Sequence, residues 1–99
     1  MPYKCISIDD AKALIDQGGA TIADVRDAGA YRDSNIKNSI NIQQENVDEF
    51  LAAADKDKPL IVYCYHGNSS KGAADYFSSQ GYKEVYSMDG GYEAWRLKY

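Results

Sequence analysis

Cys64 is the residue whose type and position in this sequence best suit covalent chemistry. It ends an apolar run, residues 60–64, and is followed by a short polar loop and a helical stretch that begins at Lys71. This order predicts a thiol at the carboxyl end of a strand and beneath the amino end of a helix. Free amides and the dipole of a helix start favour an anion. We therefore expect the Cys64 thiol to ionise readily and to act as a nucleophile.

The loop after Cys64 has a composition suited to holding an anion. Gly67 allows a backbone turn that a side chain would hinder. Ser69 and Ser70 are predicted to cap the following helix and to offer hydroxyls toward the loop centre. The successive backbone amides of residues 65–70 are predicted to point inward as an anion-binding nest.

Length and composition exclude several classes of function. A chain of 99 residues is enough for one core, so we predict one domain over residues 1–99. The formal net charge of -4 and the pI of about 4.8 argue against nucleic acid and membrane partners. No apolar stretch approaches the ~20 residues of a membrane span. The chain start has no hydrophobic signal region, so we expect a cytoplasmic protein.

The cysteine and histidine content argues against a metal site. The chain has two cysteines, Cys5 and Cys64, and a single histidine, His66. A zinc site needs about four such ligands in a recognisable spacing. The sequence leaves a Cys5–Cys64 disulfide open, although a reducing compartment disfavours it. We expect Cys5 to be a small buried hydrophobic residue.

Strand-like and helix-like segments alternate along the chain. Capping patterns predict helix starts at Ser7 and near Asn46. The predicted strands are residues 21–25, 40–42, 60–64 and 84–88. The predicted helices follow Ser7, Asn46, the loop after Cys64 and the turn at 89–91, with a brief helix within 26–33. This alternation predicts an α/β fold with a mainly parallel central sheet and helices on both faces. Ligands of such folds bind at the carboxyl ends of the strands.

Three blocks of the sequence together resemble the rhodanese family of thiosulfate sulfurtransferases, and above all its single-domain bacterial members. Residues 24–27 with Tyr31 are similar to the family's amino-terminal signature. Residues 64–74 are similar to its active-site loop, and residues 89–95 contain its carboxyl-terminal G-G-x-x-x-W signature. Asn35 departs from the pattern, because the family's first signature usually has histidine there. That departure concerns the packing of a neighbouring loop more than the chemistry.

The resemblance implies a single rhodanese-like domain and a persulfide cycle. In that cycle the Cys64 thiolate takes the outer sulfur of thiosulfate or a related small anionic donor, and sulfite leaves. Cyanide or a thiol, including that of a thioredoxin-like protein, then removes the sulfur, and no separate cofactor takes part. Asp24 and Arg26 are expected either to support the loop through hydrogen bonds or merely to pair with each other. The substrate- and persulfide-binding loop is expected to comprise Tyr65, His66, Gly67, Asn68, Ser69, Ser70 and Lys71.

Some of these residues also have simpler interpretations. We interpret His66 as a loop residue whose backbone matters more than its ring. Lys71 is either a cation that steers the donor or a solvated lysine of the first helical turn. Gly90, Gly91 and Trp95 are expected to be turn and core residues.

Three other functions are weighed against sulfur transfer. A thiolate phosphatase of the C-x5-R type needs an arginine six positions after the cysteine, where this chain has Ser70. A non-catalytic binding module with the same fold would commonly lack the nucleophile, which is present. A redox sensor would use an exposed thiol of low pKa, but no resolving cysteine is near Cys64 in sequence.

Overall fold

A single parallel sheet forms the centre of the computed structural model, which describes residues 3–99. The strands are β1 (Lys4–Ile6), β2 (Thr21–Asp24), β3 (Ile40–Asn41), β4 (Leu60–Tyr63) and β5 (Val85–Met88). Their order across the sheet is β1-β5-β4-β2-β3. Each neighbouring pair is parallel, which confirms the predicted sheet. Met1 and Pro2 lie outside the described residues. They belong to the chain start, in which the sequence shows no hydrophobic signal region.

The helices lie between the strands and at the end of the chain. They are α1 (Ile8–Gln17), α2 (Ala28–Asp33), α3 (Val47–Ala53), α4 (Ser69–Ser79) and α5 (Gly91–Lys98). The predicted cap at Ser7 is confirmed, because its Oγ accepts a hydrogen bond from the Asp10 amide at 3.1 Å. Asn46 also precedes a helix, but its side chain accepts from the Gln43 amide instead of capping α3. No helix within residues 3–99 is long and apolar enough to cross a membrane.

Side chains of β4 alternate between two buried clusters, one on each face of the sheet. Leu60 and Val62 point into a cluster that contains Phe77 of α4. Ile61 and Tyr63 point into a second cluster, which contains Ala11 of α1. All four β4 side chains are buried, as an apolar run between two layers of helices requires. The central strand thus fixes where the chain emerges at Cys64.

Strand β1 and the exposure of Cys5 differ from the sequence-based expectation. The sequence does not predict β1, because its three residues show neither alternation nor a continuous apolar run. The strand lies at the edge of the sheet and pairs only with β5. Cys5 is exposed there, so the prediction that it is buried is wrong. An edge strand has no neighbour on its outer side to cover it.

Candidate active site

Cys64 lies immediately after β4, between that strand and α4, as the sequence predicts. Its side chain is 5 % exposed. The Sγ atom accepts hydrogen bonds from the backbone amides of Gly67 at 3.2 Å and Ser70 at 3.3 Å. Two amides of the loop therefore converge on the sulfur, in the arrangement expected of an anion-binding nest.

Two opposing effects set the pKa of the Cys64 thiol. Burial raises this pKa, because a charged sulfur loses solvation. The Ser70 hydroxyl and the backbone amides of Ser70, Gly67 and His66 lower it by hydrogen bonding to the charged form. The hydrogen bonds together outweigh burial, so the pKa lies below that of an ordinary cysteine thiol. The site thus favours the thiolate, which is the nucleophilic form.

A cavity of about 380 Å³ opens at Cys64. Its lining residues are Val25, Arg26, Asp27, Cys64, Tyr65, His66, Asn68 and Ser69. Four of the predicted loop residues thus line the cavity, while Gly67 and Ser70 approach the sulfur with their amides. Lys71 is exposed on the first turn of α4 and is not among the lining residues. Val25 and Asp27, which the sequence analysis does not single out, belong to the cavity because they flank Arg26.

The predicted capping role of Ser69 and Ser70 is wrong. Helix α4 begins at Ser69, its cap position is Asn68, and the Asn68 side chain makes no capping hydrogen bond. Ser70 is fully buried inside the first turn, and its Oγ lies 2.7 Å from the Oγ of Ser87 in β5. The first-turn amide of Ser70 is satisfied by the Cys64 sulfur, which takes the place of a capping side chain.

The start of α5 holds the loop from the other side. The amide of Tyr92 donates to the Cys64 carbonyl at 2.7 Å, and the amide of Glu93 donates to the Tyr65 carbonyl at 3.0 Å. Gly91 has φ +60°, and a Cβ there would lie 2.5 Å from the Cys64 oxygen and the Tyr65 carbonyl. Gly91 is therefore more than the turn residue that the sequence predicts: only glycine permits this contact.

Asp24 and Arg26 form a buried ion pair beside the loop, as one of the two sequence-based alternatives predicts. Arg26 Nη2 donates to Asp24 Oδ2 at 2.6 Å, and Nε donates to both carboxylate oxygens. Nη2 also donates to the Ser34 carbonyl at 2.6 Å. Burial is the largest single effect on the pKa of Arg26 and lowers it, but the hydrogen bonds and charges of Asp24 and Tyr63 together raise it by more, so the pKa is raised and the guanidinium stays charged.

Arg26 also contacts the loop through an aromatic ring. Its guanidinium carbon lies 4.3 Å from the ring centroid of Tyr92 and 5.4 Å from those of Tyr63 and Tyr65. Cations at such distances from ring faces are attracted by the ring quadrupole. The pairing alternative is therefore the one that the structure supports. Within residues 3–99 no hydrogen bond joins the side chain of Asp24 or Arg26 to residues 65–71, and Arg26 meets the loop only through the ring of Tyr65.

Tyr63 is a buried residue of the site's surroundings that the sequence analysis misses. Its hydroxyl donates to Asp24 Oδ2 at 2.8 Å, accepts from the Ile36 amide at 3.2 Å and lies 3.0 Å from Ser39 Oγ. The pKa of Tyr63 is raised to about 12, and burial is the main cause. Asn35, the departure from the family pattern, is exposed and donates to the Tyr31 carbonyl at 2.9 Å. That contact lies outside the cavity lining.

The two cysteines are both free. Cys5 in β1 pairs in register with Ser87 of β5, and β5 separates β1 from β4. Two strand spacings amount to about 10 Å, which exceeds the ~7 Å Cα limit for a disulfide. A Cys5–Cys64 disulfide would therefore require the backbone to move.

Within residues 3–99, no group of three or more histidine, cysteine or acidic residues is placed to hold a metal ion.

Comparison with known proteins places these features in a family. The family model described as the rhodanese-like domain matches residues 7–98. The chain is 47% identical over 97 residues to "Thiosulfate sulfurtransferase GlpE" of Pseudomonas savastanoi pv. phaseolicola, covering 98% of this chain and 91% of that protein. The protein of the same name from Pseudomonas paraeruginosa is 51% identical, with 98% and 87% coverage.

Solved structures show the same relationship. A rhodanese-related protein from Thermoplasma volcanium superposes with a TM-score of 0.81 at 31% identity, covering 97% of this chain and 93% of that one. The family model covers nearly the whole chain, and the relatives align with it over almost their full lengths. This chain therefore belongs to the rhodanese family.

Proposed function

We propose that this protein is a thiosulfate sulfurtransferase that works through a persulfide on Cys64. The observation that carries the proposal is the position of Cys64. Its Sγ atom accepts hydrogen bonds from two loop amides, and the residue lines a cavity. The relatives that cover nearly all of the chain are named for the same activity. Neither a metal nor a separate cofactor is needed, because the sulfur of Cys64 carries the transferred atom.

The first half-reaction transfers one sulfur atom to Cys64. The thiolate attacks the outer sulfur of thiosulfate, and a new S–S bond forms to Sγ. The S–S bond of thiosulfate breaks, and its electron pair leaves with sulfite. Cys64 becomes an anionic persulfide, so the total charge is unchanged. Loop amides that already point at Sγ provide hydrogen bonds to the incoming negative charge without prior reorganisation.

The second half-reaction regenerates the thiolate. Cyanide attacks the outer sulfur of the persulfide and leaves as thiocyanate, while the electron pair of the broken S–S bond returns to Sγ. A thiol acceptor, including that of a thioredoxin-like protein, would take the same sulfur as its own persulfide. Tyr65 and His66 are exposed beside the cavity, which supports access for an acceptor after sulfite departs. A covalent intermediate of this kind predicts ping-pong kinetics.

A thiocyanate assay with two cysteine variants tests the proposal. Purified protein supplied with thiosulfate and cyanide should form thiocyanate. Cys5→Ser removes the exposed cysteine of the edge strand and should retain the wild-type rate, whereas Cys64→Ser should be inactive. An inactive wild type, or a Cys64→Ser variant that retains the wild-type rate, would contradict the proposal.

The phosphatase alternative is tested with p-nitrophenyl phosphate. The position at which a C-x5-R phosphatase has its arginine is Ser70, which is buried and pairs with Ser87. No arginine of the loop is available to bind phosphate through two nitrogens. We expect no hydrolysis above that of Cys64→Ser. Hydrolysis that depends on Cys64, without any thiocyanate formation, would favour the phosphatase.

A further inference from the structure

We infer that Arg26 binds the oxyanion end of the sulfur donor, and so makes the site selective for donors that carry a sulfonate. The inference rests on the proposed sulfur transfer and extends it to the choice of donor. Among the described residues, Arg26 is the only arginine or lysine that lines the Cys64 cavity. It comes from the segment after β2, not from the cysteine loop.

One nitrogen of the Arg26 side chain is left available. Nε and Nη2 donate to Asp24, and Nη2 also donates to the Ser34 carbonyl. Nη1 has no hydrogen-bond partner within residues 3–99. No fully buried side-chain nitrogen in this described part of the chain lacks a partner, so Nη1 keeps accessible surface. The Arg26 side chain is only 2 % exposed, and Arg26 lines the cavity, so we place the exposed part of Nη1 toward that cavity.

The surroundings of Arg26 restrict the movement of its guanidinium group. Asp24 holds one edge of the guanidinium through both of its oxygens. The rings of Tyr63, Tyr65 and Tyr92 lie 4.3–5.4 Å from the guanidinium carbon. A group held on one edge and surrounded by rings loses little further freedom on binding a ligand. Asp24 neutralises part of the charge, so Arg26 acts as a directed donor.

The proposed reaction needs such a donor. The thiolate and thiosulfate are both anions, and like charges repel at contact distance. The loop amides that reach Sγ are directed at the sulfur, while Lys71 lies outside the cavity lining. Asp27 adds a negative charge to the lining, although its Oδ1 accepts from the Ala30 amide. Arg26 is therefore the group placed to offset repulsion at the sulfonate and to stabilise departing sulfite.

The test compares two donors in variants of Arg26. Thiosulfate carries a sulfonate, and the hydropersulfide of 2-mercaptoethanol carries a transferable sulfur without one. For Arg26→Gln, kcat/KM for thiosulfate should fall by about tenfold to a hundredfold, the loss typical of a hydrogen bond between charged groups. The kcat/KM for the hydropersulfide should stay close to that of wild type. The matched control is Arg32→Gln, an exposed arginine of α2, which should change neither value.

A second variant covers the case in which Arg26→Gln does not fold, since that change leaves Asp24 buried without its partner. In Arg26→Lys the ammonium can still pair with Asp24, but it has no second nitrogen for the cavity. The same selective loss with thiosulfate is expected. In the unreactive Cys64→Ser background, calorimetric titration with thiosulfate should show weaker binding when Arg26→Lys is added.

The outcomes separate this inference from the proposed function. If wild-type Cys64 gains sulfur from neither donor, the sulfurtransferase proposal fails. If wild type reacts with thiosulfate and a folded Arg26 variant does so with unchanged kcat/KM, only the role of Arg26 is overturned. An equal loss with both donors would likewise overturn it, because Arg26 would then act on the loop and not on the sulfonate.

Discussion

At the residue scale, the thiol of Cys64 shows how a buried group is kept ionisable. Removal from water disfavours its charged form, and on its own burial would make the thiol inert. Hydrogen bonds from the loop and from the Ser70 hydroxyl reverse the sign of the net shift in pKa. The reactive state therefore depends on the conformation of residues 65–70 and not on a basic side chain.

The pH dependence of thiolate formation tests this balance. Because the pKa of folded Cys64 is lowered, ultraviolet absorbance of the thiolate should titrate at lower pH in the folded protein than in urea. A lowered pKa stabilises the folded state above the unfolded thiol's pKa of about 8.5. That contribution should be lost as the pH falls through the folded value. Ser70→Ala should move the folded midpoint upward, and an unchanged or lower midpoint would contradict the account.

The sequence identifies the proposed nucleophile but not the long-range contacts around it. Cys64 is recognisable because an apolar strand, a glycine-containing loop and a helix follow one another locally. The hydrogen bond from Tyr63 to Asp24 joins residues 39 positions apart, and the contact between Ser70 and Ser87 joins residues 17 apart. No local pattern encodes such pairs, since the first arises when two strands are aligned and the second when a helix packs on a strand.

At the scale of secondary structure, the loop is held between the starts of two helices. Helix α4 presents the amide of Ser70 to the sulfur, and α5 presents the amides of Tyr92 and Glu93 to loop carbonyls. Each helix start thus has at least one of its first amides bonded to the segment that begins at Cys64. The G-G-x-x-x-W signature at residues 89–95 acquires a structural reason, because Gly91 lets α5 approach the loop.

A pair of glycine-to-alanine substitutions tests this contact. In Gly91→Ala the new methyl would lie 2.5 Å from the Cys64 carbonyl oxygen, and residue 91 would have to keep a φ of +60°. We therefore expect the free energy of unfolding to fall by about 1–3 kcal/mol. Sulfurtransferase activity should fall as well. Gly72→Ala in α4 meets nothing within 4 Å and should raise stability by roughly 0.5–1 kcal/mol. Urea unfolding measures both changes. A Gly91→Ala variant as stable and active as wild type would show that the close approach is unimportant.

The elements that the sequence predicts well are those with a strong pattern over several residues. The apolar run at 60–64 and the capping pattern at Ser7 correspond to β4 and α1. The start of α4 is predicted less well, because serine at a helix start suggests a side-chain cap, whereas here the Cys64 sulfur accepts the amide. Strand β1 has no pattern of its own and is formed by pairing with β5.

At the scale of the whole molecule, the two buried clusters share one central strand. Leu60 and Val62 belong to the cluster beneath α3 and α4, and Ile61 and Tyr63 belong to the one beneath α1 and α5. Neither layer of helices can detach without exposing half of the β4 side chains. Because Cys64 directly follows this strand, the position of the sulfur depends on both clusters at once.

This shared strand predicts a single cooperative unfolding transition. Trp95 packs against the second cluster, so its fluorescence reports on that side of the sheet. Far-UV circular dichroism reports on all of the helices. The two signals should change at the same urea concentration, as expected for a small two-state domain. Separate midpoints would mean that the two faces of the sheet unfold independently.

Mass spectrometry of the protein after treatment with thiosulfate tests the central claim most directly. The account predicts that the peptide containing Cys64 gains the mass of one sulfur atom, that cyanide removes it, and that the Cys5 peptide in the same sample stays unchanged. A Cys64 peptide that gains no sulfur, or a gain confined to Cys5, would contradict the account.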